Sequence, residues 1–97
     1  MNMDEVDRCD PDQYFDKPPG ARIIRIDRLV RDHIPSQAKL AEAVYRMEKA
    51  GKGEYPKRKP ISIRKLDNGK YHVVDGNTTT TAMMEWGCEQ IIALEID

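Results

Sequence analysis

Two short stretches carry residue types that can do chemistry. The first is DGNTTTTA, residues 75–82, where a carboxylate, a glycine and an amide precede four consecutive hydroxyls. If a helix starts here, its first backbone N–H groups have no acceptor within the helix. They then point, with the helix dipole behind them, at whatever occupies the corner. Gly76 allows close backbone approach, and hydroxyls can donate further bonds. Gly76, Asn77, Thr78, Thr79, Thr80 and Thr81 are therefore the candidate phosphate-binding residues. Asp75 and His72, just upstream, are the candidates for supporting the loop. A structural account competes with this one: Asn77 or Thr78 simply caps the helix, and the threonines pack methyls inward while bonding the preceding turn. Residual catalysis is a third account. No Lys or Arg lies inside the motif, so the bare loop would hold an anion weakly.

The second stretch is KGEYPKRKP, residues 52–60. Tyr55, Lys57, Arg58 and Lys59 form a nucleic-acid-binding candidate, with a base stacked on the ring and phosphates on the cations. Contacts of that kind give salt-dependent affinity with little sequence choice. An ordinary charged loop is the alternative. His72 and His33 are the only histidines; His72 is expected in a sheet and His33 in an exposed loop. Asp75 alone is a weak signal for Mg²⁺, so no metal site is assigned, and no cofactor is specified. Cys9 and Cys88 are too few for a disulfide scaffold and lack metal-ligand spacing. Cys88 is expected in the core.

The elements that must position these stretches follow from periodicity. ARIIRIDRL predicts a strand through Ile23, Ile24 and Ile26, turning at Asp27. Leu40, Ala41, Val44 and Met47 fall at helical spacing after Ser36, a suitable N-cap, and Gly51 and Gly53 end that helix. PISIRKL and KYHVV flank Asn68-Gly69, which predicts a hairpin with a tight two-residue turn. A second helix runs through Ala82, Met83 and Trp86 to Gly87, with Trp86 packing beneath the sheet. QIIALEI predicts a closing strand.

The 97 residues suit one domain, with 39% hydrophobic and 34% charged residues. No run is long and apolar enough to span a membrane, and the acidic N-terminus does not resemble a secretory signal. A cytoplasmic location is the default expectation. The net charge of -1 conceals an asymmetry: residues 1–16 carry six acids against Arg8, and the remainder holds 15 Lys or Arg against 11 Asp or Glu. Residues 1–20, closed by KPPG, predict an acidic flexible N-terminal arm, leaving 21–97 as the folded domain. Such an arm can compete with a polyanion for a basic surface.

The order of elements and the glycine loop together resemble the ParB-like and sulfiredoxin-like domain family. The likeness rests on KPISIRKLDNGKYHVVDGNTTTTAMMEWGCEQIIALEI and on the helix around LAEAVYRMEKAGKG before Pro60, and covers about residues 22–96. It implies an α/β fold, a small mixed-sheet domain in the order strand, helix, hairpin, helix, strand. Gly76 and Ala82 keep the family's places. The positions that are acidic and basic in ParB-like members, or cysteine, histidine and arginine in sulfiredoxins, fall on Asn77, Thr78 and Thr79. Sulfiredoxin thiol chemistry is thus not expected. Two functions stay open. One is binding of phosphate groups of a nucleic acid or nucleotide, with weak nuclease or phosphohydrolase action as its extension. The other is a non-catalytic protein-interaction module, such as an antitoxin, immunity or inhibitor protein, whose partner is a protein.

Overall fold

The computed structural model describes residues 10–96, so the acids Asp4, Glu5 and Asp7 of the expected arm lie outside the described residues. Five strands make one mixed sheet: β1 (Arg22–Arg25), β2 (Leu29–Val30), β3 (Ile61–Lys65), β4 (Tyr71–Asp75) and β5 (Gln90–Glu95). Their order across the sheet is β1-β5-β3-β4-β2. β1 with β5 and β3 with β4 are antiparallel, whereas β3 with β5 and β2 with β4 are parallel. Three helices accompany them: α1 (Pro11–Tyr14), α2 (Gln37–Gly51) and α3 (Asn77–Glu85). The expected α/β order is present as β1, α2, the β3–β4 hairpin, α3 and β5. The additions, α1 and β2, are too short to leave a periodic signal.

Alternation selects the buried face of the hairpin. Ile61, Ile63, Tyr71 and Val73 are buried, while Ser62 and His72 between them are half-buried. β5 instead buries Ile91, Ile92 and Ala93 in succession, as a strand covered on both faces does. α2 presents Leu40, Ala43, Met47 and Ala50 to the core at helical spacing. Its Ser36 cap is as expected, the hydroxyl accepting the Lys39 N–H at 3.3 Å. Ser36→Ala is expected to lower stability by about 1 kcal/mol, the usual value of such a cap, as measured by urea unfolding.

The hairpin turn differs from the two-residue expectation. Leu66 N–H bonds Lys70 O, and Gly69 N–H bonds Leu66 O, so Asp67, Asn68 and Gly69 form a three-residue loop. Gly69 takes the left-handed position at φ 81°, as in the turn-plus-bulge solution. A second irregularity lies at the other end of the hairpin. Ser62 pairs with Asp75 and Ile63 with Val73, which leaves Val74 as the extra residue of a bulge.

Within the expected arm, the described residues 10–20 include a segment docked on the domain. Tyr14 and Phe15 are each only 1% exposed and belong to the core. Arg58 N–H donates to Tyr14 O at 2.7 Å and Asp16 N–H to Arg58 O at 2.9 Å, forming a parallel bridge. Two aromatic side chains among acids supply enough apolar surface to dock the segment. Trp86 packs partly buried against that core, its ring 5.3 Å from Tyr14. Cys88 is buried as expected and is disulfide-bonded. Among the described residues no helix is long and apolar enough to cross a membrane.

Candidate phosphate-binding site

β4 passes into α3 through Gly76 alone. Gly76 stands at φ 106°, ψ 20°, in the left-handed region, and serves as N-cap without any side-chain capping bond. A Cβ here would lie 2.5 Å from Ile61 Cγ2 and 2.8 Å from Ile61 Cβ, so the corner is pressed against β3. Thr80 N–H closes the first turn onto Gly76 O at 2.9 Å. The amides of Asn77, Thr78 and Thr79 precede it and have no acceptor within the helix. Neither Asn77 nor Thr78 caps by its side chain. Asn77 Oδ1 is buried with no hydrogen-bond partner among the described residues.

The hairpin brings the two sequence stretches together. In an antiparallel pair the residues before the first strand lie beside those after the second. Tyr55, Lys57, Arg58 and Lys59 thus line one cavity of about 410 Å³ with Asp75, Gly76 and Thr79. Arg46 of α2 completes its wall. A second cavity of about 290 Å³ continues past Arg46 and Arg58 to Lys39, Glu42 and Thr78.

Arg58 supplies the cation that the glycine–threonine motif lacks. Its guanidinium donates to Thr79 Oγ1 at 3.1 Å, and Thr79 is itself buried. Burial first, and then the neighbouring Arg46, push the Arg58 guanidinium down from its ordinary value, while Glu42 acts the other way. An arginine remains charged at neutral pH regardless. Among the described residues Arg58 has no ion-pair partner within salt-bridge distance. Arg46 instead binds Glu42 on its own helix at 2.8 Å. Lys57 Nζ donates to Asp12 O. Tyr55 is 43% exposed and meets Tyr45 edge-on, with centroids 6.1 Å apart.

Other candidates sit elsewhere. The Thr80 hydroxyl donates to Gly76 O at 2.9 Å and the Thr81 hydroxyl to Asn77 O at 2.8 Å, so both protons serve the helix. His72 Nε2 meets Asp32 Oδ2 at 2.8 Å on the β2 side of the sheet. That bond is the first cause holding the Asp32 carboxyl below its ordinary value. His33 is exposed, as expected. Sequence reasoning missed Lys39, Glu42 and Arg46. They fall off the apolar stripe of α2, where they look like a solvated face, and only the packing of α2 beside α3 gives them a site.

No protein-family model and no curated protein sequence matches the chain. Solved structures share its fold. A free serine kinase in complex with AMP superposes with TM-score 0.69 at 20% identity, over 89% of this chain and 34% of that one. Sulfiredoxin from Arabidopsis thaliana gives 0.64 at 18% identity, over 81% and 86% respectively. The chromosome-partitioning protein ParB from Caulobacter crescentus, complexed with CTP-gamma-S, gives 0.61 at 18% identity, over 80% and 44%. The chain therefore spans about a third of the kinase and under half of the ParB structure. At the level of the fold the chain resembles ParB-like and sulfiredoxin-like proteins, as expected.

Proposed function

We propose that this domain binds a phosphate-bearing ligand, a nucleotide or a nucleic-acid phosphate, at the start of α3. One observation carries the reading. Arg58, half-buried and without an ion-pair partner among the described residues, reaches the helix N-terminus where the free amides lie. A partly buried cation without an ion-pair partner is unfavourable until an anion neutralises it. Phosphate oxygens suit that role, since amides, a hydroxyl and a planar guanidinium can all donate to them. Tyr55 at the rim offers a ring for a base. The names of two fold relatives, bound to AMP and to CTP-gamma-S, add support for a nucleotide. The role is binding; no catalytic step is assigned to Asp75 or His72.

Calorimetric titration with AMP and with a short single-stranded oligonucleotide, at two salt concentrations, tests the reading. Binding of AMP with shallow salt dependence points to one phosphate in the corner. Tighter oligonucleotide binding that weakens steeply with salt points to a backbone track through Lys57 and Lys59. No heat and no competition from either ligand at millimolar concentration contradicts the reading and leaves the protein-interaction alternative.

A further inference from the structure

Resting on the phosphate-binding reading, we infer that Arg31 and Asp32 are positioning residues that clamp the β4–Gly76–α3 corner from both sides. Four consecutive β-branched residues make a poor helix start, and Gly76 gives it no side-chain cap. Something outside the helix has to hold that first turn in one geometry. The loop leaving β2 is placed to do so, because β2 runs parallel to β4 with Val30 in register with His72. The next residue, Arg31, reaches forward to the helix: its Nη1 donates to Thr81 Oγ1 at 2.5 Å. That same hydroxyl donates to Asn77 O at 2.8 Å, so the guanidinium holds the peptide at the head of α3 through one intermediary. Asp32 reaches back to the strand and meets His72 at 2.8 Å.

The corner thus lies between two ties that start from neighbouring residues of one loop. His72 is three residues before Asp75, and Thr81 is five after Gly76. Neither Arg31 nor Asp32 lines the cavity. Their effect on a ligand passes through the orientation of the amides at 77–79, where donor direction decides the strength of each bond. The clamp also accounts for Thr81 of the motif and for His72 just upstream of it, neither of which lines the groove.

The test uses the full chain, inorganic sulfate as probe, and the variants Arg31→Lys, Arg31→Met, Thr81→Val and the double variant Arg31→Met with Thr81→Val. Each single variant, including the charge-preserving lysine, is expected to weaken sulfate binding about fivefold, and the double variant no more than either single one. Sulfate affinities equal to wild type overturn the clamp. So does full affinity in Arg31→Lys, which reduces Arg31 to its charge, or singles whose effects multiply in the double variant. Hydrogen exchange of the Thr80 amide without ligand separates this proposal from the one it rests on. Arg31→Met is expected to speed that exchange about tenfold by loosening the first turn. Faster exchange with no sulfate binding in any variant would leave the clamp standing and overturn the phosphate reading; unchanged exchange overturns the clamp.

Discussion

Gly76→Ala is expected to cost about 3 kcal/mol of folding stability, a large part of what so small a domain has. Two terms add. An alanine in the left-handed region costs about 1 kcal/mol, because its Cβ crowds the following carbonyl. The same Cβ would stand 2.5 Å from Ile61 Cγ2 and 2.8 Å from Ile61 Cβ. Ile61 is 2% exposed and cannot swing aside, so overpacking adds about 2 kcal/mol. Gly69→Ala is the control. Gly69 has a comparable φ of 81°, but a Cβ there meets nothing within 4 Å. It should lose only the backbone term. Urea unfolding of both variants reads the difference directly; equal midpoints would show that the corner is not pressed against β3. Because the same corner carries the free amides, the Gly76 variant should also bind phosphate less tightly at temperatures where it stays folded.

Arg58→Ala is expected to reduce affinity for AMP or sulfate by about thirtyfold, the value of a charge-assisted bond of about 2 kcal/mol. Arg58→Lys should recover only part of this, since an ammonium keeps the charge and loses the planar fork. Stability should respond differently. The backbone of residue 58 holds Tyr14 and Asp16 whatever its side chain. The side chain contributes one bond to Thr79 against the unfavourable burial of a cation beside Arg46. Removing it should leave the unfolding midpoint near that of wild type, in contrast to Gly76→Ala. A residue whose loss weakens binding without lowering stability is placed for the ligand rather than for the fold. A drop in stability matching the Gly76 variant would instead make Arg58 a structural tie.

Much of the fold was legible because its long elements obey simple periods. Ile61 and Ile63 alternate against Ser62, and Leu40, Val44 and Met47 keep helical spacing after a Ser36 cap. What escaped was set by tertiary contact. Tyr14 and Phe15 sit among acids, and nothing local shows that they dock in the core beside a backbone bridge to residue 58. The Asn68-Gly69 signal was right about a turn but could not count its residues, since Gly69 suits the left-handed position of a three-residue loop as well. The site divides in the same way. Gly76 as a corner and the basic loop were both visible and were read as serving one phosphate, and hairpin geometry is what brings them together. Arg58 was in view as part of the basic loop adding field to the phosphate, but its direct bond to Thr79 was not. Arg46 and Lys39 were hidden on the polar face of α2, and the value of Thr81 as a tie required Arg31 to be seen beside it.

The central claim, an anion held by Arg58 and the first amides of α3, is tested most directly by nitrogen-15 NMR. The titration uses inorganic phosphate at low salt and observes both backbone amides and arginine side chains. The account predicts saturable shifts concentrated at Gly76 to Thr79 and at the Arg58 guanidinium, with smaller ones at Arg46, all fitting one dissociation constant. Shifts scattered over surface lysines without saturation, or none at 76–79 up to millimolar phosphate, would contradict it.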